Sequence, residues 1–532
     1  MKKLVLVLTI CCLSFLFAQT PRYGGVLVFG RSGDSVSLDP AHALDTESFP
    51  AISAVYDGLV QFKYGTTKII PALAKSWKIS KDGLRYTFYL RKGVHFSKTS
   101  YYPKSPELTS ADVVFSFKRQ FDKNNPYHKI GGAFKYWSSM DMSKIVKDVK
   151  ALDKYTVEIV LKKKEAPLVS DLAMSFAVIV SKDYAYFLLK KGKANDFAKK
   201  PVGTGPFVFQ KWIKDDRTIF TANKNYWNGR PYVNKLIFKV ITNSSVREAE
   251  LETGAISIMD FPNPADVPSL EANKKIKVIK QAGLNVGYLA FNTSKKPFNN
   301  LLVRRALSYA IDTKDIVKSI YEGLGKAIAN PIPPTQWSYN KHLKGYPYNI
   351  KKAKALLAKA GYPHGFKTNI WAMPVARPYM PDGRKVAEVI QADLAKIGVQ
   401  AKIVTYDWGT YLAKTSAGEH DMALLGWTGS NGDPDNFLNN TLSKQSAMQK
   451  PSQNIAFWKN DKFTKLIDEA KVISNIAKRT KLYKKAQVIF DEQAPWKPIA
   501  NSIVAEPMLK KVHGFKLDPV GTRRFKEVWL SK

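Results

Sequence analysis

The chain has 532 residues, 45% of them hydrophobic and 24% charged, so it can build more than one hydrophobic core and is too apolar for a disordered protein. Its formal net charge of +39 comes from basic residues spread along the whole chain without a helix-turn-helix or zinc-finger pattern, which argues against nucleic-acid binding. Both cysteines, Cys11 and Cys12, lie in the first predicted element, which excludes a disulfide or a thiolate metal site from the remainder.

That first element is a secretory signal peptide over residues 1–18. Two lysines precede an apolar run that ends at Phe17, and Ala18 is the small residue expected at the cleavage site. Bulky Ile10 disfavours the alternative of a lipid-modified Cys11. We therefore expect an exported, soluble mature protein whose basic surface is solvated and attracts anionic lipid headgroups.

Strand-like alternation and helical periodicity alternate along the chain, which favours an α/β or α+β protein. The clearest pattern predicts, in order, strand 369–373, loop 374–383, a helix whose apolar face ends before Gly398, strand 400–406, helix 408–417 and buried strand 422–427. Two successive strand-helix units predict a parallel sheet. Its ligands would lie beyond the carboxyl ends of the strands.

Two polar loops leave those strand ends, at residues 374–379 and 428–436. Arg377 in the first loop offers a bidentate donor to a carboxylate, and the second loop offers acids, amides and unhindered backbone groups. Together they fit a zwitterionic ligand. The alternative for Arg377 is a structural or surface salt bridge.

The sequence has no pattern typical of catalysis. The seven histidines form no His-Glu-x-x-His motif, and neither a Gly-x-Ser-x-Gly elbow nor a phosphate loop is present. Asn431, Asp433 and Asp435 could suggest calcium, but the spacing lacks the Gly and downstream Glu of an EF-hand loop, and loop hydrogen bonds explain these residues better. We predict a binding protein without enzymatic activity, cofactor or metal.

Long segments of the chain, in order, resemble the bacterial peptide-binding proteins of ABC importers, which belong to the peptide/nickel family of extracellular solute-binding proteins. The dipeptide binders are the most similar among them. The matching segments are Gly65-Thr66-Thr67, Asp82-Gly83, residues 111–117, Gly203-Thr204-Gly205-Pro206-Phe207, residues 283–289, Ile332-Pro333-Pro334-Thr335, residues 371–374, Arg377-Pro378-Tyr379, residues 426–429 and residues 431–437.

The resemblance implies an α/β, two-lobed periplasmic-binding-protein fold with an extra family-specific domain. Domain I would be a discontinuous lobe, domain II the family-specific insertion and domain III the second lobe, with the boundaries 20–60, 200–282 and 503–532 for domain I, 61–199 for domain II and 283–502 for domain III. The chain would cross between the lobes near Gly283 and Asn501. Closure about these crossings would bury the ligand.

The resemblance also implies a function and partners. The protein would be a monomeric periplasmic component of an ABC importer that captures a dipeptide or related peptide-like ligand and delivers it to the membrane permease subunits. Two alternatives stay open. One is a binder of a glutathione-like peptide or haem; the other is a ligand-presenting or chaperone-like exported protein without a transport role.

For the site, the resemblance assigns the grip on the ligand carboxylate to Arg377. The position of the aspartate that holds the ligand amino group in dipeptide binders is Ser430 here, and a neutral hydroxyl cannot neutralise a buried ammonium. Asp433, Asp435 and Asp45 are candidates to supply the missing charge, Asp45 from a segment that lines the opposite side of the cleft in this family. The expected ligand-binding set is Arg377, Tyr379, Trp427, Gly429, Ser430, Asn431, Asp433 and Asp45.

Overall fold

The structure is a computed structural model that describes residues 20–43 and 45–532, so the predicted signal peptide lies outside the described residues. The strands are β1 (Val26–Arg31), β2 (Val60–Phe62), β3 (Ile69–Pro71), β4 (Ala74–Ile79), β5 (Arg85–Leu90), β6 (Val146–Asp153), β7 (Thr156–Leu161), β8 (Phe207–Ile213), β9 (Arg217–Ala222), β10 (Lys235–Val240), β11 (Ile258–Met259), β12 (Ile276–Ala282), β13 (Asn285–Phe291), β14 (Gly325–Ala327), β15 (Lys367–Trp371), β16 (Gln400–Val404), β17 (Met422–Thr428), β18 (Trp496–Leu509), β19 (Val512–His513) and β20 (Trp529–Leu530).

The helices alternate with these strands. They are α1 (Ser48–Val55), α2 (Ser110–Phe121), α3 (Lys135–Ser139), α4 (Met142–Ile145), α5 (Leu168–Asp171), α6 (Lys182–Lys190), α7 (Ser244–Thr253), α8 (Val267–Ala272), α9 (Leu301–Ala310), α10 (Thr313–Ile320), α11 (Ile350–Lys359), α12 (Gly383–Ala395), α13 (Trp408–Ala417), α14 (Asp435–Leu442), α15 (Lys444–Met448), α16 (Asp461–Lys471) and α17 (Ile476–Gln493). Within the described ranges, not one helix combines the length and the apolar character needed to cross a lipid bilayer.

The predicted strand-helix units of the second half of the chain are confirmed. Strand β15 pairs in parallel with β16 and with β17, and α12 and α13 connect them. The first strand begins two residues earlier than its pattern indicates, because Lys367 and Thr368 already pair with β16. β13 then lies antiparallel between β17 and β18, which completes the order β16-β15-β17-β13-β18.

A second group of strands is built around β1. It pairs in parallel with β10 and β11, and the group continues in the order β18-β11-β1-β10-β9-β8. Leu27 and Phe29 of β1 are buried in its core with Phe238 of β10, as expected from the alternation of apolar positions along a strand. The α/β class predicted from the sequence is therefore confirmed.

β18 joins the two groups of strands into one sheet. Its first part, from Trp496 to Ala500, pairs with β13, and its second part, from Ile503 to Leu509, pairs with β12. The short link between β12 and β13 runs beside it. The sequence-derived crossing points, Gly283 and Asn501, lie at this junction.

Residues 74–161 contribute a separate antiparallel sheet in the order β4-β5-β7-β6. Helix α2 packs on this sheet, and the reciprocal hydrogen bonds of Thr109 and Asp112 cap its amino end. The loops and short helices after these strands extend towards the second group of strands. Their contacts there shape one side of the candidate site.

Candidate ligand-binding site

Arg377 lies in a tight turn after β15. Its backbone N–H donates to the Met380 carbonyl at 3.0 Å, and the Met380 N–H donates back at 2.9 Å. The guanidinium stacks 5.0 Å from the centre of the Trp408 ring and makes no ion pair with any carboxylate of residues 20–43 or 45–532. The salt bridge considered as its alternative role is therefore not formed among the described residues. One guanidinium N–H donates to the Ala376 carbonyl at 3.3 Å, and the remaining donors are available to a ligand.

Tyr379, two residues further on, is buried and fixes this turn to the sheet. Its carbonyl accepts a hydrogen bond from the Tyr321 hydroxyl at 2.8 Å. Its ring packs so closely on Gly426 that a Cβ there would lie 2.1 Å from a ring carbon. Burial raises the pKa of Tyr379 to about 12, so its hydroxyl stays protonated. In this structure, Tyr379 positions Arg377 through the backbone.

A cavity of about 640 Å³ opens beside Arg377, between the first and second groups of strands. The turn that carries Arg377 forms one wall, and Ser32, Gly33 and Glu47 belong to the opposite wall. A smaller space of about 30 Å³ is lined by Pro378 and Thr428 together. The two predicted loops therefore meet at the carboxyl edge of their sheet.

Asn436 organises the second loop. Its side-chain oxygen accepts hydrogen bonds from the Trp427 indole N–H at 2.9 Å and from the Ser430 backbone N–H at 3.0 Å. Gly429 between them donates to the Leu284 carbonyl at 2.7 Å, and a Cβ at this position would lie 2.5 Å from the Phe437 ring. The loop thus has one tightly packed conformation.

Ser430 faces residues from the other parts of the chain. Its hydroxyl lies 3.3 Å from the Tyr136 hydroxyl of α3. Burial raises the pKa of Tyr136, and the negative charge of nearby Asp45 adds to this effect. Asp45 itself accepts hydrogen bonds from the Ser48 N–H at 2.8 Å and from the Ser48 hydroxyl at 2.9 Å. Asp45 and Ser430 therefore approach the same part of the cleft from opposite sides.

Asn431 and Asp433 form internal contacts. The Asn431 amide donates to Asp171 of α5 at 2.7 Å, so this residue links the loop to α5. Asp433 is held by a bidentate ion pair with Arg479, with both N–O distances at 2.8 Å. Asp435 is buried near Lys471, 3.5 Å away. These contacts engage both acids of the loop that could have replaced the missing charge at Ser430.

The sequence reasoning missed Glu47, which shares the 640 Å³ cavity with Arg377. Burial, reinforced by the negative charge of Asp260, raises the pKa of Glu47 to about 7. The one feature of the sequence that could have indicated Glu47 is its position two residues after Asp45, which was itself predicted to line the cleft. No periodicity indicates which side chain of that segment faces the cleft.

Comparison with known proteins identifies the family. Residues 68–449 match the family model described as bacterial extracellular solute-binding proteins, family 5 middle. The chain belongs to this family. It is 44% identical over 507 residues to the dipeptide-binding protein of Escherichia coli (strain K12), covering 95% of this chain and 94% of that protein. It is also 43% identical to heme-binding protein A of Haemophilus influenzae, covering 92% and 89%.

Solved structures agree with this assignment. An ABC transporter-associated periplasmic binding protein from Helicobacter pylori, in complex with the peptide STSA, superposes with a TM-score of 0.90 at 48% identity, covering 96% of this chain and 99% of that chain. A dipeptide-binding protein from Pseudoalteromonas sp. SM9913, in complex with Met-Leu, also gives 0.90 at 34% identity, covering 95% and 100%. The two-lobed binding-protein fold expected from the sequence is confirmed.

Proposed function

We propose that this protein is the substrate-binding component of an ABC importer and captures a short peptide between its two lobes. The observation that carries the proposal concerns Arg377. Its guanidinium stacks on the Trp408 ring, lines the 640 Å³ cavity and has no ion-pair partner among the described carboxylates. A peptide carboxylate matches its planar donor fork. Relatives named for dipeptides, and solved structures that hold Met-Leu and STSA, support the same ligand class.

The remaining features of this role follow from the same proposal. The signal peptide would be cleaved after Ala18 and the protein would act in the periplasm as a monomer that docks on membrane permease subunits. Ligand would leave unchanged, since the site offers charge recognition and apolar walls rather than a nucleophile with an adjacent base. The resemblance-derived domains I, II and III would then be the moving parts of a hinge closure.

Haem is the ligand named for one relative, so the test should separate it from peptide. In the described part of the chain, no histidine, cysteine or methionine lines the 640 Å³ cavity or the cavity of about 310 Å³ beside Phe49. These three residue types are common axial ligands of haem iron. The lining therefore favours a peptide.

Native mass spectrometry of the purified protein tests the proposal. We expect a bound mass in the range of two to four amino acids, and the released compound should be an intact peptide. Calorimetry with Ala-Ala and Met-Leu should show saturable binding to one site. A bound porphyrin with its visible absorption band, or peptides hydrolysed during incubation, would contradict the proposal.

A further inference from the structure

Glu47 is an acid in the cleft, and one oxygen of its carboxylate has no hydrogen-bond partner among the described residues. Its carbonyl accepts a hydrogen bond from the Arg31 guanidinium at 2.8 Å, which fixes the backbone. Its side chain turns towards the cavity past Gly33, where a Cβ would lie 3.3 Å from the Glu47 Cγ. Its Oε1 is fully buried and has no hydrogen-bond partner among the described residues. A buried carboxylate oxygen without a hydrogen bond costs free energy unless a ligand or water donates a hydrogen bond to it.

The cations near Glu47 are engaged elsewhere. Arg31 forms an ion pair with Asp34 at 2.5 Å, and Arg523 pairs with Glu506. Arg247 lies 3.5 Å from Asp260, whose own charge also acts on Glu47. Each of the three arginines on this wall thus has its own acid. Arg377 lies across the cavity, and in the proposed function its guanidinium binds the ligand carboxylate rather than Glu47.

We propose that Glu47 binds a cationic nitrogen of the peptide ligand, an ammonium or guanidinium group, while Arg377 binds its carboxylate. The inference rests on the proposed function and deepens it, because it names the ligand class as peptides that carry a positive charge within reach of their carboxylate. Two sources share this chemistry, the α-ammonium and a lysine or arginine side chain. A charge-assisted hydrogen bond from either group would give Glu47 Oε1 its donor and neutralise the carboxylate.

The preceding acids fit this assignment. Asp433 is paired with Arg479, Asp435 lies near Lys471, and both oxygens of Asp45 accept from Ser48. Glu47 Oε1 has no hydrogen-bond partner in residues 20–43 or 45–532. With its pKa raised to about 7, Glu47 would be more fully ionised at pH 8 than at pH 6. The preference for a cationic ligand over its uncharged counterpart should therefore rise over that interval in the unmodified protein.

The test compares four peptides by calorimetry at pH 8: Ala-Lys, Ala-norleucine, and the N-acetylated form of each. Lysine against norleucine reports a side-chain cation, and free against acetylated peptide reports the α-ammonium. We expect the unmodified protein to prefer at least one cationic member of a pair by tenfold or more. Glu47→Gln should reduce that preference to less than threefold while still binding acetyl-Ala-norleucine with unchanged affinity.

Two further variants keep the result interpretable. Glu248→Gln is the matched control, because Glu248 also has a pKa raised to about 7 but does not line the cavity, and it should keep the preference. Asp45→Asn tests the competing acid. Loss of the preference in Asp45→Asn but not in Glu47→Gln would overturn the assignment, as would equal weakening of all four peptides by Glu47→Gln. Absence of binding of any peptide to the unmodified protein would instead overturn the proposed function itself.

Discussion

Arg377 is positioned by its backbone, which leaves its charge for recognition. The reciprocal hydrogen bonds with Met380 and the stack on Trp408 hold the guanidinium in place. Because the guanidinium is already held in place, it loses little conformational entropy when a ligand binds. Most of its interaction energy with the ligand carboxylate therefore contributes to affinity. The side chain is half-buried, so part of its hydration is already lost before ligand arrives.

Replacement of Arg377 tests this directly. We expect Arg377→Ala to weaken binding of Ala-Ala by about 2–5 kcal/mol, because the ligand carboxylate would be buried without its partner. Calorimetry measures the change. Arg384→Ala is the control, since Arg384 is an exposed residue of α12 whose guanidinium pairs with Glu388 at 2.9 Å. Equal affinities of Arg377→Ala and the unmodified protein would return Arg377 to a structural role.

Ser430 gives a second prediction at this scale. Its hydroxyl faces Tyr136, and nearby Asp45 already accepts hydrogen bonds from Ser48 with both carboxylate oxygens. We expect Ser430→Asp to strengthen binding of free Ala-Ala at least tenfold, about 1.4 kcal/mol, with no gain for N-acetyl-Ala-Ala. Ser430→Ala should lack this gain. A Ser430→Asp variant that binds both forms as the unmodified protein does would show that the α-ammonium lies elsewhere.

Among the secondary-structure elements, the sequence predicted best where the pattern is local. The strands and helices between Lys367 and Thr428 follow from apolar periodicity and a glycine after the helix, and their parallel pairing follows from the connections. Arg377 could be singled out because a loop after a parallel strand is a common ligand site. These inferences need only a few dozen consecutive residues.

The opposite wall could not be found in this way. Glu47 and Arg377 are far apart in the sequence, and Glu47 lies at the start of α1, where no repeat distinguishes a cleft-facing side chain from a buried one. The partner of Asn431 is Asp171, 260 residues earlier. Contacts between distant segments depend on how the lobes meet, which no local pattern encodes.

Asparagine side chains make hydrogen bonds to the backbone at the junction of β12, β13 and β18. The Asn501 amide donates to the Gly283 carbonyl at 2.7 Å and to the Asn285 carbonyl at 2.8 Å, and the Asn285 side chain accepts from the Ser502 N–H at 3.0 Å. Side-chain amides can keep such bonds through small rotations of the backbone. The junction is therefore suited to act as the proposed hinge.

At the scale of the whole molecule, residues 61–199 contact the segment that carries Asp435 and Lys471, and these contacts would contribute to the proposed closure. Glu165 lies 3.4 Å from Lys471, which also approaches Asp435, and the Ala166 N–H donates to the Lys471 carbonyl at 2.7 Å. Asp171 adds a third buried acid to this cluster. One lysine thus faces three carboxylates. Opening of the proposed hinge would separate Glu165 and Asp171 from Lys471.

The acids of this cluster make closure dependent on pH. Burial raises the pKa of Glu165 to about 7 and that of Asp435 to about 6, in each case against the attraction of Lys471. An acid whose pKa is raised in the closed form favours closure below its ordinary pKa of 4.5. That contribution is lost as the pH rises through about 7.

Ligand affinity should report this effect, because a ligand that binds the closed form binds more weakly when closure is less favourable. Acetyl-Ala-norleucine is the appropriate probe, since it carries a carboxylate for Arg377 and no cation for Glu47. We expect the affinity of the protein for this probe to fall about tenfold between pH 5 and pH 8, the change in free energy that corresponds to a pKa shift of about one unit.

Glu165→Gln, which keeps the shape of the side chain but cannot ionise, should flatten this dependence and bind more tightly than the unmodified protein at pH 8. Glu158→Gln, on the neighbouring strand β7 and paired with exposed Arg85 at 3.2 Å, should leave the dependence intact. A profile that is the same in Glu165→Gln and in the unmodified protein would show that ionisation of Glu165 does not set the pH dependence of ligand binding, and would contradict the prediction.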